Sequence, residues 1–326
     1  MILPGTGRGT ARDASGGGGS PPGESDAENP LHQPAAGPPP RAGEELGYAE
    51  VIGDPIAQSK SPLIHRFWLE RLGLSGDYRA RRVRADDLAA YFASHRADPE
   101  WRGCNVTVPH KQAVISLLDD LDADAEAIGA VNTVVREGDR LVGYNSDAPG
   151  FLEPLRPLLA RPYLFRMARV IGAGGAARAV AHALGGEGFE VVVIARDLAK
   201  ARVIRVGPGL SGDHVASLAS WAEPLAFDWG DRSGVLDLVV NTTSLGMTGQ
   251  PPLVVDWSHV PPGAIVYDIV YAPLETPLLA EALARGHATI DGLEMLIGQA
   301  AIAFARFFGR PAPRAHDAAL RALLTA

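Results

Sequence analysis

From Tyr48 onward, short apolar runs alternate with stretches whose apolar residues recur at helical spacing. Residues 48–53 read as a strand. Ser61-Pro62 then opens a helix, with Ser61 as N-cap and Pro62 at the first helical position. Leu63, Phe67, Trp68 and Leu72 give that helix an apolar stripe, and Gly73 ends it. The pattern continues with a strand near 78–83, a helix near 86–95 and a strand over 104–108 that Pro109 stops. Residues 110–121 are again spaced as a helix. Residues 132–136 and 140–144 flank Glu137-Gly138-Asp139, a three-residue hairpin signal.

A helix near 149–159 bridges into a second unit. Its strands (169–171, 190–195, 236–241 and 264–269) alternate with helical or loop segments, which implies a parallel sheet with crossover helices. They are continuous apolar runs, the pattern of a sheet covered on both faces. After Asp291 a helix carries Leu293, Leu296, Ile297, Ala300 and Phe304 and ends at Gly309. The fold class expected is α/β with two domains, the second a Rossmann-type doubly wound unit.

Composition changes the picture at one end. Residues 1–43 hold ten glycines and eight prolines. So little apolar surface cannot offset the entropy of ordering, so residues 1–45 are expected to be a disordered tail. The 326 residues suit two domains. Thirty basic against 38 acidic side chains, net −8, argue against nucleic acid as a partner. A single cysteine, Cys104, excludes an internal disulfide and fits a reducing compartment. No signal peptide and no apolar run of membrane-spanning length is readable. A cytoplasmic protein without membrane partners is the expectation.

Gly172-Ala-Gly174-Gly-Ala-Ala177 follows a strand and opens a helix, the G-x-G-x-x-G/A form. The first glycine makes the tight turn, the second admits a pyrophosphate close to the backbone, and the third small residue lets helix and strand pack. Free N–H groups at the helix start suit that anion. The second strand ends on Ala195-Arg196-Asp197. Arg196 favours NADP, because guanidinium matches the 2′-phosphate. Asp197 could orient Arg196, repel the phosphate, or belong to the next helix, and Arg196 could be a solvated loop residue.

Eight strings occur together in one order. They are Gly53-Asp-Pro-Ile-Ala-Gln-Ser59-Lys-Ser61-Pro62-Leu-Ile-His65; Asn105-Val-Thr107-Val-Pro-His-Lys111; Ile128-Gly-Ala-Val-Asn132-Thr133; Gly143-Tyr-Asn145-Ser-Asp147; Gly172 to Ala177; Asn241-Thr-Thr-Ser244-Leu-Gly246-Met247; Tyr267-Asp-Ile-Val-Tyr271; and Asp291-Gly-Leu-Glu-Met-Leu-Ile-Gly-Gln299. The set resembles the shikimate dehydrogenase family over about 48–309. The family commonly has Asn-Arg-Thr where this chain has Ala195-Arg196-Asp197, and threonine where Ser146 stands.

The resemblance implies reversible NADPH-dependent reduction of 3-dehydroshikimate to shikimate, in aromatic amino-acid biosynthesis. It makes Lys111 and Asp147 the catalytic pair. A carboxylate beside an ammonium favours its charge, so Asp147 suits orienting Lys111 and the substrate hydroxyl. Ser59 and Ser61 would hold the substrate carboxylate, and Thr107, Asn132, Tyr271 and Gln299 the ring. Gly172, Gly174, Gly175, Ala176, Arg196, Thr242 and Gly292 would hold NADP. Residues 46–150 would form the substrate domain, with 287–326 packing back onto it, and 151–286 the NADP domain. No metal is implied: His65 and His110 read as packing or hydrogen-bonding residues. The substrate is a small molecule and the protein a monomer or homodimer. The alternatives are a quinate/shikimate dehydrogenase using NAD, and a non-catalytic nucleotide-sensing relative.

Overall fold

The computed structural model describes residues 47–206 and 214–326. The tail expected over residues 1–45 lies outside the described residues. Twelve strands form two six-stranded sheets. The first contains β1 (Tyr48–Gly53), β2 (Asp77–Arg82), β3 (Trp101–Val106), β4 (Asp120–Leu121), β5 (Thr133–Glu137) and β6 (Arg140–Tyr144). Their order is β2-β1-β3-β5-β6-β4. β1, β2 and β3 are parallel, and β5 runs antiparallel to both β3 and β6. The carboxyl ends of β1, β3 and β6 therefore share one edge with the start of β5.

The second sheet contains β7 (Phe165–Ile171), β8 (Glu190–Ala195), β9 (Val215–Ser217), β10 (Val235–Asn241), β11 (Ile265–Asp268) and β12 (Ala288–Ile290). Every pair is parallel, in the order β12-β11-β10-β7-β8-β9. This is the doubly wound order, whose ligand crevice opens at the carboxyl ends on either side of the first strand, here between β7 and β10. One core cluster runs from Ile128, Ala130 and Phe151 to Ala177, Val240 and Tyr267, so apolar packing joins the two sheets. Another covers the first sheet with the helices Ser61–Leu72, Gly292–Phe308 and Asp317–Thr325.

Several local expectations are corrected. Residues 110–121 are not a helix: a short 3-10 turn spans Ala113–Leu117 and β4 follows. The backbone N–H groups of Asp119 and Asp122 donate to Leu141 and Gly143 at 2.9 Å, so pairing with β6 overrides the helical spacing. Ser61 is not an N-cap but the first helical residue, and its N–H donates to the Ser59 hydroxyl at 3.3 Å. The buried face of that helix carries Ser61, Ile64, His65, Phe67, Trp68 and Leu69, while Leu63 and Leu72 are exposed. Glu137 pairs with Arg140, so Gly138 and Asp139 alone make the hairpin turn. The bridge over 149–159 is broken into Asp147–Leu152, Glu153–Leu155 and Arg156–Leu159. Pro154 and Pro157 lack the N–H a continuous helix needs.

Candidate active site

The shared edge of the first sheet gathers most of the predicted polar residues. β3 delivers Thr107, whose N–H donates to Ile52 at 2.9 Å, and the chain turns so that Lys111 follows. The Lys111 carbonyl accepts from Val131 at 2.7 Å, which fastens the lysine to the segment entering β5. β6 ends at Tyr144, and Asp147 opens the next helix. Lys111 Nζ and Asp147 Oδ2 meet at 2.5 Å, with side chains 14% and 6% exposed.

Asp147 is held from several directions. Its Oδ1 accepts from Asn132 Nδ2 at 2.9 Å, and its backbone N–H donates to Asn145 Oδ1 at 3.0 Å. Asn132 Oδ1 in turn accepts from the Ser146 N–H at 2.7 Å. Ser146 Oγ lies 3.4 Å from Gln299 Oε1, and Gln299 donates through Nε2 to Leu296. Gln299 comes this close because two helices cross at glycines. A Cβ on Gly150 would stand 2.5 Å from the Gln299 nitrogen, and one on Gly298 3.1 Å from the Gly150 carbonyl.

The second sheet faces this cluster with the glycine turn. Gly172 has φ +128°, and a Cβ there would lie 2.4 Å from Thr242 Oγ1. Gly174 precedes the helix Gly175–Gly186 with no side-chain cap, and the space beside it is open for 4 Å. The Lys111 side chain lies against Gly175, its Cβ and Cδ 3.1 Å from where a Cβ would stand. The ion pair and the glycine turn thus touch. Ala176 is half-buried on the first turn of the same helix. Gly292 is packed under the Ile269 carbonyl rather than open, at 2.3 Å from a virtual Cβ.

Tyr271, in the loop after β11, stands beside the serine loop of the first sheet: burial raises its hydroxyl pKa, and the neighbouring Lys60 backbone pulls it down. Ser61 is buried and Ser59 half-buried beside that contact. Arg196 is exposed at the end of β8. Asp197 caps the following helix by accepting from Lys200 at 3.1 Å, so it belongs to the next helix, the third of its possible roles.

His110 and His65 are both buried. His110 bonds the Val83 carbonyl at 2.7 Å. His65 stacks on Tyr78 at 3.8 Å, and burial lowers its pKa to about 3. Among the described residues no group of His, Cys, Asp and Glu could hold a metal ion, and no helix is long and apolar enough to cross a membrane.

Two segments match known families: residues 51–134 the shikimate dehydrogenase substrate binding domain, and residues 292–319 the shikimate 5'-dehydrogenase C-terminal domain. The shikimate dehydrogenase (NADP(+)) of Sphingopyxis alaskensis is 54% identical over 281 residues, covering 86% of this chain and 97% of its own. The chain belongs to the shikimate dehydrogenase family. Among solved structures of similar fold, the Thermus thermophilus shikimate 5-dehydrogenase in complex with NADP(H) and shikimate is 37% identical with a TM-score of 0.67. It matches over 84% of this chain and 98% of its own. The ligand-free 5-ketofructose reductase of Gluconobacter is 30% identical with a TM-score of 0.69, over 85% and 97%.

Within this shikimate dehydrogenase-family site, sequence reasoning left several residues unnamed. Asn105 donates to the Asn132 carbonyl and to Thr133, and accepts from Tyr78 at 2.6 Å. Asn105 and Thr133 lie inside the matched strings, so position was the available signal. Gly298 also lies inside a matched string while Gly150 lies outside them all, and the role of both exists only where two helices cross.

Proposed function

We propose that the protein is an NADP-dependent shikimate dehydrogenase that reduces the ketone of 3-dehydroshikimate to shikimate, reversibly, in aromatic amino-acid biosynthesis. The observation that carries this reading is the buried Lys111–Asp147 pair lying against Gly175. The residues present suit a dinucleotide: an uncapped helix start, open space at Gly174, and a tight turn at Gly172 lined by Thr242. Gly172, Gly174, Gly175, Ala176 and Thr242 would hold its pyrophosphate side, Arg196 its 2′-phosphate, and Gly292 would let the chain approach closely. Bound there, NADPH supplies the hydride.

The chain's own residues do the rest. Ser59 and Ser61 bind the substrate carboxylate at a helix start, which suits an anion. Thr107, Asn132, Tyr271 and Gln299 orient the ring through neutral hydrogen bonds. As charge develops on the carbonyl oxygen, the Lys111 ammonium donates a proton to it, and in the reverse direction takes it back. Asp147, fixed by Asn132 and Asn145, aims that ammonium and accepts from a substrate hydroxyl. Both protein groups are prepositioned, which removes reorganisation from the reacting step.

Residues 46–150, with 287–326, act as the substrate domain and 151–286 as the NADP domain. The working protein is a cytoplasmic monomer or homodimer that takes small molecules and neither nucleic acid nor membrane. The test is a comparison of shikimate and quinate against NADP⁺ and NAD⁺, with 5-ketofructose and NADPH as a further arm. Shikimate with NADP⁺ is expected to give the highest kcat/KM, and any other winner overturns the reading. Lys111→Ala should lower turnover at least ~10²-fold, the low end for acid–base catalysis, with the NADP⁺ Michaelis constant little changed.

A further inference from the structure

Asp268, the last residue of β11, is fully buried and is used by neither the ion pair nor the glycine turn. Its partners among the described residues are neutral donors. Oδ1 accepts from Asn241 Nδ2 at 2.9 Å and from the Val270 N–H at 3.0 Å, and Oδ2 accepts from Thr276 Oγ1 at 2.7 Å. Burying a carboxyl group costs free energy unless its hydrogen bonds are made, and an apolar side chain would fill the same space without that cost. What an apolar side chain would not do is hold donors from three separate segments.

Two of those segments lead to the two ligand sites. Asn241 Oδ1 accepts from the N–H and hydroxyl of Thr243, the Thr243 hydroxyl accepts from the Leu245 N–H, and Asn241 Nδ2 also reaches the Leu245 carbonyl. Asn241 therefore organises the 241–245 turn that sets Thr242 against Gly172. On the other side, Val270 is followed by Tyr271, whose hydroxyl is beside the backbone of Lys60, the residue between Ser59 and Ser61. The two loops also meet directly, through the Thr248 N–H and the Ala272 carbonyl at 2.8 Å.

We infer that Asp268 is a positioning residue shared by both ligand sites, its one buried carboxyl group tying the loop that carries Thr242 to the loop that carries Tyr271. The inference rests on the dehydrogenase reading, since it assigns one arm to NADP and the other to shikimate. Removing the shared acceptor should therefore weaken both ligands, whereas cutting one arm should weaken one.

Wild-type turnover of shikimate with NADP⁺ is measured first; its absence removes the functional reading and this inference with it. Given that turnover, Asp268→Ala is expected to raise the Michaelis constants for NADP⁺ and for shikimate by about tenfold or more each, the scale of leaving a buried donor unpaired. Asp268→Asn should restore both, because its carbonyl oxygen can serve Asn241 and Val270 while its amide donates to the Thr276 hydroxyl. Leu278→Ala, a cavity in the neighbouring core, should lower the melting temperature with both constants unmoved, which separates positioning from general loosening. Should Asp268→Ala fail to fold, Asn241→Ala carries the test. It should raise the NADP⁺ constant about tenfold or more, again the cost of lost buried hydrogen bonds, and leave the shikimate constant nearly unchanged. Only one constant moving in Asp268→Ala, no restoration by Asp268→Asn, or an unmoved NADP⁺ constant in Asn241→Ala would each overturn the inference with the dehydrogenase reading intact.

Discussion

At the residue scale, the chemistry reduces to which side chains the fold allows to meet. Lys111 and Asp147 are far apart along the chain and 2.5 Å apart in space. Both are singled out in the sequence only through the strings they close, which resemble those of the family, and not through spacing or polarity. Their supports are less visible: the resemblance implies that Asn132 binds the ring, while its grip on Asp147 Oδ1 depends on the turn after β6. The clearest gain concerns cofactor choice. With Asp197 occupied as a helix cap, Arg196 stands exposed at the end of β8, free of a competing carboxylate role for its neighbour. Arg196→Ala should then raise the Michaelis constant for NADP⁺ by about tenfold or more, as loss of a charge-assisted hydrogen bond implies. The constant for NAD⁺ should stay nearly constant. Steady-state kinetics with both cofactors checks this, and equal effects on the two would remove Arg196 from the 2′-phosphate.

At the element scale, periodicity identified most strands and helices but could not say which contacts would claim them. Val114, Leu117, Leu118 and Leu121 have helical spacing, yet only a 3-10 turn forms over Ala113–Leu117 and the sheet takes the end of the segment, because β6 offers carbonyls at its edge. In the helix Ser61–Leu72 the buried face includes Ser61 and His65, so a stripe judged by apolarity selects Leu63, which faces out. The crossing of Asp147–Leu152 with Gly292–Phe308 was likewise illegible, since a glycine in a helix reads only as a weak point. Its energetics are nevertheless testable. In Gly150→Ala the new methyl group would meet the Gln299 backbone at 2.5 to 2.8 Å, and backbone cannot swing aside as a long side chain can. Overpacking of this kind costs about 1–3 kcal/mol. The two helices should separate and carry Gln299 from Ser146, lowering the melting temperature by several degrees and raising the shikimate constant more than the NADP⁺ constant. Thermal unfolding and kinetics on the same preparation measure both. An unchanged shikimate constant would mean that Gln299 does not depend on this crossing.

At the scale of the whole molecule, two sheets with separate cores are joined through Phe151 stacked on Tyr267 and the cluster around them, so stability is a shared property. Two buried titratable groups act on it with opposite sign. His65 is fully buried, neither ring nitrogen finds a partner among the described residues, and burial holds its pKa near 3 against an ordinary 6.5. Between those values the unfolded chain binds a proton that the folded protein refuses, so stability falls as pH drops through that window. Asp268 is the reverse case: burial raises its carboxyl to about 6 from 3.8, against the pull of Thr276, Val270 and Asn241. Between those values the folded protein holds the proton, so this contribution grows as pH drops. From about pH 6 to pH 4 the two slopes, each near ~1.4 kcal/mol per pH unit, largely cancel. Replacing one group exposes the other. His65→Phe keeps the ring stacked on Tyr78 and loses no hydrogen bond. Relative to wild type it should therefore gain about 1.4 kcal/mol for each pH unit of acidification between pH 6 and pH 4. Denaturant unfolding of both proteins across that range reads the difference directly, and a constant offset would show that His65 takes up its proton inside the folded core.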